Sequence, residues 1–580
     1  MNNSKPRFWR DLWILIKPYW VSEERYSAWA LLATIVGFAL GLVYMSVQFN
    51  DWYGMFYNSL QEKNKEDFFV LMLYFCFLAG IYIVLAVYQS YLNQMLQIRW
   101  RRWLTEKYLR EWMVDRAYYR IQLNGPSTDN PDQRIADDMK IFVDETLNLS
   151  LGFLDAVVTL LSFVGILWAL SGPISFPLNG GTITIPGYMV WAVIVYALVS
   201  SALTHLIGRP LIALNFNQQR FEADFRFNLV RFRENMEGVA LYRGEEYEQR
   251  GLATRFSQVA TNWWAIMKRQ KKLTWFTDGY NQVAVVFPFM VAAPRYFSGA
   301  IQLGGLMQIV NAFGEVRRAL SWFIGIYTNF AAWKATVDRL TTFHNTIVNA
   351  CEQQRSQPGA TLEPADGDAL ELRDVTIALP DSRLLLGAIE QKINAGERVL
   401  VRGPSGSGKS TLFRAIAGIW PFGSGRVLRP LDFNALFLPQ RPYLPIGSLR
   451  EVVCFPSKPD AFSDAQLRAA MTAVGLPALA DALDSGSHWA LQLSPGEQQR
   501  IAIARALLHE PRWLFLDEAT SALDEATEEK IYQLLAERLP QTTLVSIGHR
   551  SGLLAYHTRV LEFAESNTGS MQLVSKPIPT

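Results

Sequence analysis

Gly403-Pro404-Ser405-Gly406-Ser407-Gly408-Lys409-Ser410, followed by Thr411, fits the pattern G-x-x-x-x-G-K-[ST]. The run 398–402 before it reads as a buried strand and 411–419 after it as a helix, the setting this loop requires. Glycines let the backbone turn so that successive amide N–H groups point inward at phosphate oxygens, and the helix N-terminus adds its dipole. In that arrangement Lys409 reaches the β- and γ-phosphates and the Ser410 hydroxyl ligates Mg²⁺. The stretch predicts an α/β domain that takes a nucleotide, and is silent on what the energy drives.

A second element belongs with it. Trp513-Leu514-Phe515-Leu516-Asp517-Glu518 is an apolar strand ending in two carboxylates. If it ends beside the phosphate loop, Asp517 is placed to hold Mg²⁺ directly or through water. Glu518 is then placed to polarise the attacking water as general base.

The rest of the chain is of another kind. At 580 residues it is too long for one core. Half of it is apolar, only 19% is charged and tryptophan and phenylalanine are abundant, a balance that points to a membrane. Residues 7–20 pattern as an amphipathic helix lying flat at a membrane surface. Runs long enough to cross roughly 30 Å of hydrocarbon follow at 27–49, 69–92, 150–172, 187–208, 279–299 and 305–332. That makes six spans, the last two carrying polar residues. No cleavable signal peptide is expected, since the N-terminus is polar and basic and the first apolar run is long. Cys76, Cys351 and Cys454 lie far apart and predict neither disulfides nor a zinc site; all three read as small buried hydrophobes.

The net charge of +2 conceals a segregation. The stretch after the second span holds Arg99, Arg101, Arg102, Lys107, Arg110, Arg116, Arg120, Arg134 and Lys140, and the stretch after the fourth is as basic. The opposite loops are nearly bare, so both basic stretches and both termini are assigned to the cytoplasm. That topology also explains the basic clusters without nucleic acid, which is excluded as a partner. Both cytoplasmic stretches are helical in pattern and read as spans continuing beyond the membrane and folding back. Breaks at Asn130-Pro131-Asp132-Gln133-Arg134 and Arg233-Glu234-Asn235-Met236-Glu237-Gly238 would be the tips that touch a second domain. The expected organisation is an all-α transmembrane domain over 1–340, a linker over 341–368 and an α/β nucleotide-binding domain over 369–580.

Between the phosphate loop and the Asp517 strand lies Leu493-Ser494-Pro495-Gly496-Glu497-Gln498-Gln499-Arg500, which resembles the LSGGQ signature of the ATP-binding cassette (ABC) transporter family. Other landmarks of that family follow in order: Gln440 at the glutamine loop, Ser521-Ala522-Leu523-Asp524 after the catalytic carboxylate, and His549 as the switch histidine. The motifs at Gly418-Ile419-Trp420-Pro421, Pro439-Gln440-Arg441-Pro442-Tyr443 and Gly447-Ser448-Leu449-Arg450 are similar to the branch of peroxisomal acyl-CoA half-transporters and bacterial YddA and BacA/SbmA-type proteins. Asn130-Pro131-Asp132-Gln133-Arg134-Ile135 and Phe221-Glu222-Ala223-Asp224-Phe225-Arg226 agree with the bacterial branch.

The resemblance implies a half-transporter of exporter-like ABC fold in a bacterial inner membrane, with ATP and Mg²⁺ as ligands. It implies a homodimer in which Ser494, Gly496 and Glu497 of one copy complete the ATP site at Lys409 of the other. It assigns Gln440, with Ser410 and Asp517, to the metal, and Glu518 and His549 to catalysis. Two departures stand out: Pro495 and Glu497 replace Gly and Gln, and no aromatic from 362 to 412 offers an adenine stack. Leu379 and Pro380 would serve instead, and ATP and GTP stay open as alternatives.

For the cargo, Glu315, Arg317 and Arg318 fall inside the sixth span, with Gln308 and Asn311 a turn or two earlier. Charges facing lipid are costly, so Glu315 and Arg318 face an aqueous path or close on each other as an i,i+3 pair. Asp155 and Arg295 are candidates for the same cavity. A polar interior favours import of hydrophilic solutes such as peptides. An exporter or flippase of acyl compounds and an ATP-gated regulator without cargo are the alternatives.

Overall fold

Continuous apolar sequence becomes continuous helix in the first half of the chain, because a backbone crossing hydrocarbon must satisfy its own polar groups. The computed structural model describes residues 8–123, 130–178, 181–356, 359–565 and 571–577. Helix α1 (Phe8–Trp20) leads into α2 (Arg25–Gln61) and α3 (Lys65–Met113), and a 3₁₀ turn at Val114–Arg116 joins α3 to α4 (Ala117–Leu123). A single turn, α5 (Pro131–Gln133), passes through a π-helical stretch (Arg134–Asp138) into α6 (Met139–Ser171). A hairpin of β1 (Pro173–Leu178) and β2 (Gly181–Pro186) precedes α7 (Tyr188–Glu234), α8 (Met236–Tyr242), α9 (Glu245–Phe297) and α10 (Leu303–Ser356).

Among the described residues, α2, α6, α7 and the helix through α3 are long and apolar enough to cross a membrane; α9 and α10 are also long but more polar. Leu73, Phe77, Ile83 and Val87 of α3 are all exposed, an apolar belt that water would not tolerate and lipid would. The chain is a multi-pass membrane protein.

The chain divides into two compact units, Met1–Tyr108 with Asn130–Phe343, and Leu109–Asp129 with His344–Thr580. The expected linker over 341–368 is therefore corrected: α10 continues to Ser356, and Thr361–Ala365 is already strand β3. Gln357 and Pro358 lie outside the described residues. The first docking tip is corrected as well. It is α4, rather than the Asn130–Arg134 break, that belongs to the second unit, where Arg116 Nη1 donates to Ala417 O at 3.2 Å and Leu123 packs on the core. The second break falls at Asn235, as the sequence indicated.

Beyond β3 the second unit runs β4 (Leu370–Ala378), β5 (Leu384–Ile393), β6 (Arg398–Arg402), α11 (Lys409–Ile416), β7 (Gly423–Pro430), β8 (Ala435–Leu438) and β9 (Gly447–Ser448). It continues with α12 (Leu449–Cys454), α13 (Asp464–Ala473), β10 (Gly486–Ser487), α14 (Trp489–Gln492) and α15 (Pro495–His509). Then come β11 (Trp513–Asp517), α16 (Glu525–Arg538), β12 (Thr543–Ile547), β13 (Arg559–Glu565) and β14 (Met571–Pro577). A ten-stranded mixed sheet has the order β3-β7-β4-β5-β14-β13-β6-β12-β11-β8. Its β6, β12, β11 and β8 are adjacent and parallel. Their runs are nearly all apolar because both faces are covered. Phe515 stacks on Phe437 at 4.3 Å on the α11 side, while Ile501, Ile503 and Ala506 of α15 fill the other core.

Of the cysteines only Cys454 is buried; Cys76 is exposed on α3 and Cys351 is intermediate, which corrects the expectation for those two.

Candidate nucleotide site and polar membrane cluster

Register assembles the nucleotide site. In a parallel sheet, the loops that leave neighbouring strands at their C-terminal ends share one edge. Val401 lies opposite Ile547, Ile547 opposite Asp517, and Leu516 opposite Leu438. That brings together the phosphate loop after β6, His549 after β12, Asp517 and Glu518 after β11, and Gln440 after β8.

The loop has the shape of an anion cradle. Gly406 (φ 77°) and Gly408 (φ 99°) take backbone angles open to glycine, and a side chain at Gly408 would strike Leu385 at 2.8 Å. The buried Ser407 Oγ finds no protein partner. Lys409 is 6% exposed, and its Nζ donates to Gly403 O at 2.9 Å and Pro404 O at 2.8 Å. Burial pulls its pKa down, with Glu518 and Asp517 opposing. A buried ammonium held only by carbonyls, above an unpartnered hydroxyl and a row of glycines, fits a phosphate group. Pro404, Ser405, Ser410 and Thr411 complete the loop and the first turn of α11.

Ser410 Oγ donates to Asp517 Oδ1 at 2.8 Å. Burial raises the Asp517 pKa, against the Ser410 hydrogen bond. A desolvated carboxylate paired with a hydroxyl suits a hard divalent cation such as Mg²⁺. Glu518 is held at both oxygens: Gln440 Nε2 donates to Oε2 at 3.0 Å, and His549 Nε2 donates to Oε1 at 3.2 Å. Its backbone sits at φ 49°, a left-handed conformation for a non-glycine residue at the sheet edge. Asp517, Glu518, Gln440 and His549 thus meet as the sequence indicated.

The signature stretch is built differently. Ser494 is the N-cap of α15, and Glu497 closes a capping box: its Oε2 accepts from Ser494 N at 2.9 Å and Ser494 Oγ at 2.8 Å. Those hydrogen bonds hold the Glu497 carboxyl below its ordinary pKa. Pro495 occupies the first helical turn, where its missing N–H costs nothing. Both substitutions within the signature are thus local helix-start chemistry. Among the described residues, no hydrogen bond links Ser494, Gly496 or Glu497 to the phosphate loop of their own chain.

Sequence reasoning missed Gln499. It is buried, donates from Nε2 to Gln440 O at 3.0 Å and accepts Ala522 N at 2.9 Å, tying α15 to the loops after β8 and β11. The available signal was its place three, four and seven residues before Ala502, Ile503 and Ala506, a polar residue on the apolar face. The hairpin of β1 and β2 was missed too, although Thr182-Ile183-Thr184-Ile185 alternates after Asn179-Gly180. Leu379 packs partly on the core and Pro380 is exposed.

In the membrane unit Arg318 joins two other predicted residues: it pairs with Glu315 one turn away, and its Nη1 lies 4.0 Å from Asp155 of α6. Arg295 does not join them. Its Nη1 donates to Leu170 O at 3.0 Å and to Ser171 O, capping the end of α6. The group extends along one face of α10. Asn311 donates to Asn50 at 3.0 Å, Gln308 lies 3.5 Å from Asp51, and the Gly304 N–H donates to Asn58 at 2.8 Å. Gly304 is required there, because an added Cβ would lie 1.9 Å from Gly54 O.

Both halves of the chain resemble known proteins. Residues 12–297 match the family described as ABC transporter transmembrane region 2, and residues 386–521 match the family described as ABC transporter. The chain is 35% identical to the inner membrane ABC transporter ATP-binding protein YddA of Escherichia coli (strain K12), over 93% of this chain and 94% of that one. It is 32% identical to the chloroplastic ABC transporter D family member 2 of Arabidopsis thaliana, over 97% and 87% of the two chains. A bacterial Atm1-family ABC exporter solved with ATP bound shares the fold, at a TM-score of 0.66 and 18% identity over 94% of each chain. The chain belongs to the ABC transporter family, in the branch of YddA and the D-family proteins, and couples hydrolysis of Mg²⁺-bound ATP to transport through a transmembrane region fused to its ATP-binding region.

Proposed function

We propose that the chain works as a homodimer in a bacterial inner membrane, with six spans per copy and both termini and the ATP-binding unit in the cytoplasm. Its cargo is a water-soluble solute bearing charged groups, peptides among them, carried inward as the BacA/SbmA resemblance implies. The observation that carries the cargo reading is the polar face of α10, where Gln308, Asn311, Glu315 and Arg318 recur at helical spacing against α2 and α6. So much polarity inside a membrane segment serves a water-accessible path.

The homodimer reading rests on the signature at the N-terminus of α15. One chain has one phosphate loop and one signature, and the signature makes no hydrogen bond to its own loop among the described residues. The Ser494 and Gly496 backbone at a helix start suits the phosphates bound at Lys409 of a second copy. When bound, Mg²⁺-ATP supplies the phosphoanhydride whose cleavage drives the cycle. Lys409 exchanges the Gly403 and Pro404 carbonyls for phosphate oxygens, and Ser410 and Asp517 hold the cation with Gln440. Glu518, steered by Gln440 and His549, accepts the proton of the attacking water.

The test is flux of a labelled hydrophilic peptide into proteoliposomes, with the two orientations of the protein resolved. ATP-dependent movement away from the signature-bearing side would support export and sink the inward assignment. No ATP-dependent movement of any charged solute would sink the transport reading itself.

A second reading, movement of an apolar or acyl compound, is favoured by one observation: a large aromatic cleft between α7 and α9.

A further inference from the structure

Glu528 is a carboxylate that the hydrolysis chemistry leaves unused. It lies in the first turn of α16 and is 6% exposed. Both of its oxygens are engaged, each by a different loop of the nucleotide site. Oε1 accepts the hydroxyl of Thr520, two residues past Glu518, at 2.6 Å. Oε2 accepts Nη1 of Arg550, the residue after His549, at 3.1 Å. One buried side chain therefore joins the loop that carries Glu518 to the loop that carries His549.

The histidine loop is short and weakly packed. Between the end of β12 at Ile547 and a 3₁₀ turn at Ser551–Tyr556 stand only Gly548, His549 and Arg550. The His549 side chain is 51% exposed, so its surroundings do not fix the ring, and its place comes from the backbone that bears it. Arg402, the last residue of β6, donates from Nη2 to Arg550 O at 2.7 Å and to His549 O at 3.4 Å. That holds the loop from the phosphate-loop side, and the pairing of Arg550 with Glu528 holds it from α16. The result of both is the 3.2 Å approach of His549 Nε2 to Glu518 Oε1.

Stability explains Glu528 poorly. An ion pair taken out of water gains little over apolar groups of the same volume, and often less than they do. Nor does α16 need Glu528 to begin, since Asp524 caps it by accepting Thr527 N at 2.9 Å. A buried carboxylate satisfied at both oxygens supplies a single fixed geometry instead.

We propose that Glu528 is a positioning residue for ATP hydrolysis: through Arg550 it sets His549 against Glu518, and through Thr520 it keys that setting to the Glu518 loop. This role rests on the reading of Glu518 and His549 as the hydrolytic pair.

The experiment uses the full chain in phosphatidylcholine nanodiscs and measures kcat and KM for Mg²⁺-ATP by release of labelled phosphate, with urea unfolding alongside. Glu528→Met keeps the volume and removes both acceptors. It is expected to lower kcat by about tenfold, the scale of one hydrogen bond to a charged group, and to move KM by less than about twofold. Arg550→Met should fall as far and Arg550→Lys should regain most of the loss. Glu528→Met combined with Arg550→Met should match or exceed the unmodified protein in resistance to urea while its kcat stays low, which separates positioning from folding. In a His549→Ala background, Glu528→Met should lower kcat by less than about twofold further, because the ring it places is gone. An equal further fall in that background would make Glu528 a structural residue and overturn the role, as would a raised KM at unchanged kcat. Low kcat in His549→Ala with full kcat in Glu528→Met overturns this inference alone. Full kcat in His549→Ala sinks the reading of His549, and this inference with it.

Discussion

Gln440 and Glu518 hold each other at the sheet edge, Nε2 to Oε2 at 3.0 Å. With His549 on the other oxygen, the carboxylate has its direction set by side chains from the ends of two other strands. Glu518→Gln keeps the shape of that contact and removes the proton acceptor. ATP hydrolysis should fall by about 10²- to 10⁴-fold, as loss of a general base does, while ATP binding persists. Phosphate release and fluorescent-nucleotide binding, measured together, check this; near-normal turnover would take Glu518 out of its role.

Asp517 carries a pKa raised by burial. A raised carboxylate stabilises the fold below its unfolded pKa, and that contribution is lost as pH rises through the folded value. At neutral pH the ionised group is thus a cost in the nucleotide-free protein. Asp517→Asn should raise Tm at pH 7 without ligand, flatten its dependence above about pH 4, and shrink the rise that Mg²⁺-ATP produces. A lower ligand-free Tm would contradict the burial argument.

The Ser494–Glu497 capping box separates two roles for Glu497. Glu497→Gln keeps an acceptor for Ser494 and should leave both stability and ATP turnover nearly unchanged. Ser494→Ala removes the cap, costs about 1 kcal/mol of stability and lowers turnover. A large loss of turnover in Glu497→Gln at full stability would return Glu497 to direct ATP contact.

His557 is a buried titratable group of the ATP-binding unit. It is buried, donates from Nδ1 to Leu553 O at 2.6 Å and accepts the Ser546 hydroxyl at Nε2, 3.0 Å away. Burial lowers its pKa to about 4. The neutral ring stabilises the fold above the unfolded pKa near 6.5, and this is lost as pH falls towards 4. The loss amounts to at most about 3 kcal/mol. Urea unfolding between pH 7 and 4.5 should show it, and His557→Gln should flatten the profile.

Arg318 stands between Glu315 and Asp155. Arg318→Gln leaves two carboxylates facing each other without a counter-charge, whereas Glu315→Gln with Arg318→Gln leaves one. The single variant should therefore melt lower than the double one. Both should slow flux of a charged solute. A single variant more stable than the double would mean that the cluster is fully solvated.

The nucleotide machinery was legible in the chain because each part is a short run with its own chemistry: a glycine loop, an apolar strand ending in carboxylates, a Ser-x-Gly helix start. The same holds for the long apolar helices. Less legible were residues whose role depends on a remote partner. Gln499 reads as one more polar residue of α15 until the loops after β8 and β11 close over it. Arg295 read as a cavity charge and is a helix cap, since only packing brings the end of α6 to it.

By itself the sequence determined that a membrane-spanning half precedes an ATP-binding half, because apolar run length and phosphate-loop geometry are local properties. Only the tertiary structure decided which charges meet. Parallel register put Gln440, Asp517, Glu518 and His549 on one edge. The crossing of α6 and α10 gave Arg318 its second carboxylate, and the pairing of α7 with α9 stacked Tyr196 on Tyr280. Those outcomes depend on side chains tens to hundreds of residues apart reaching within about 3–4 Å, a distance that strand register and helix crossing set and that no local pattern encodes.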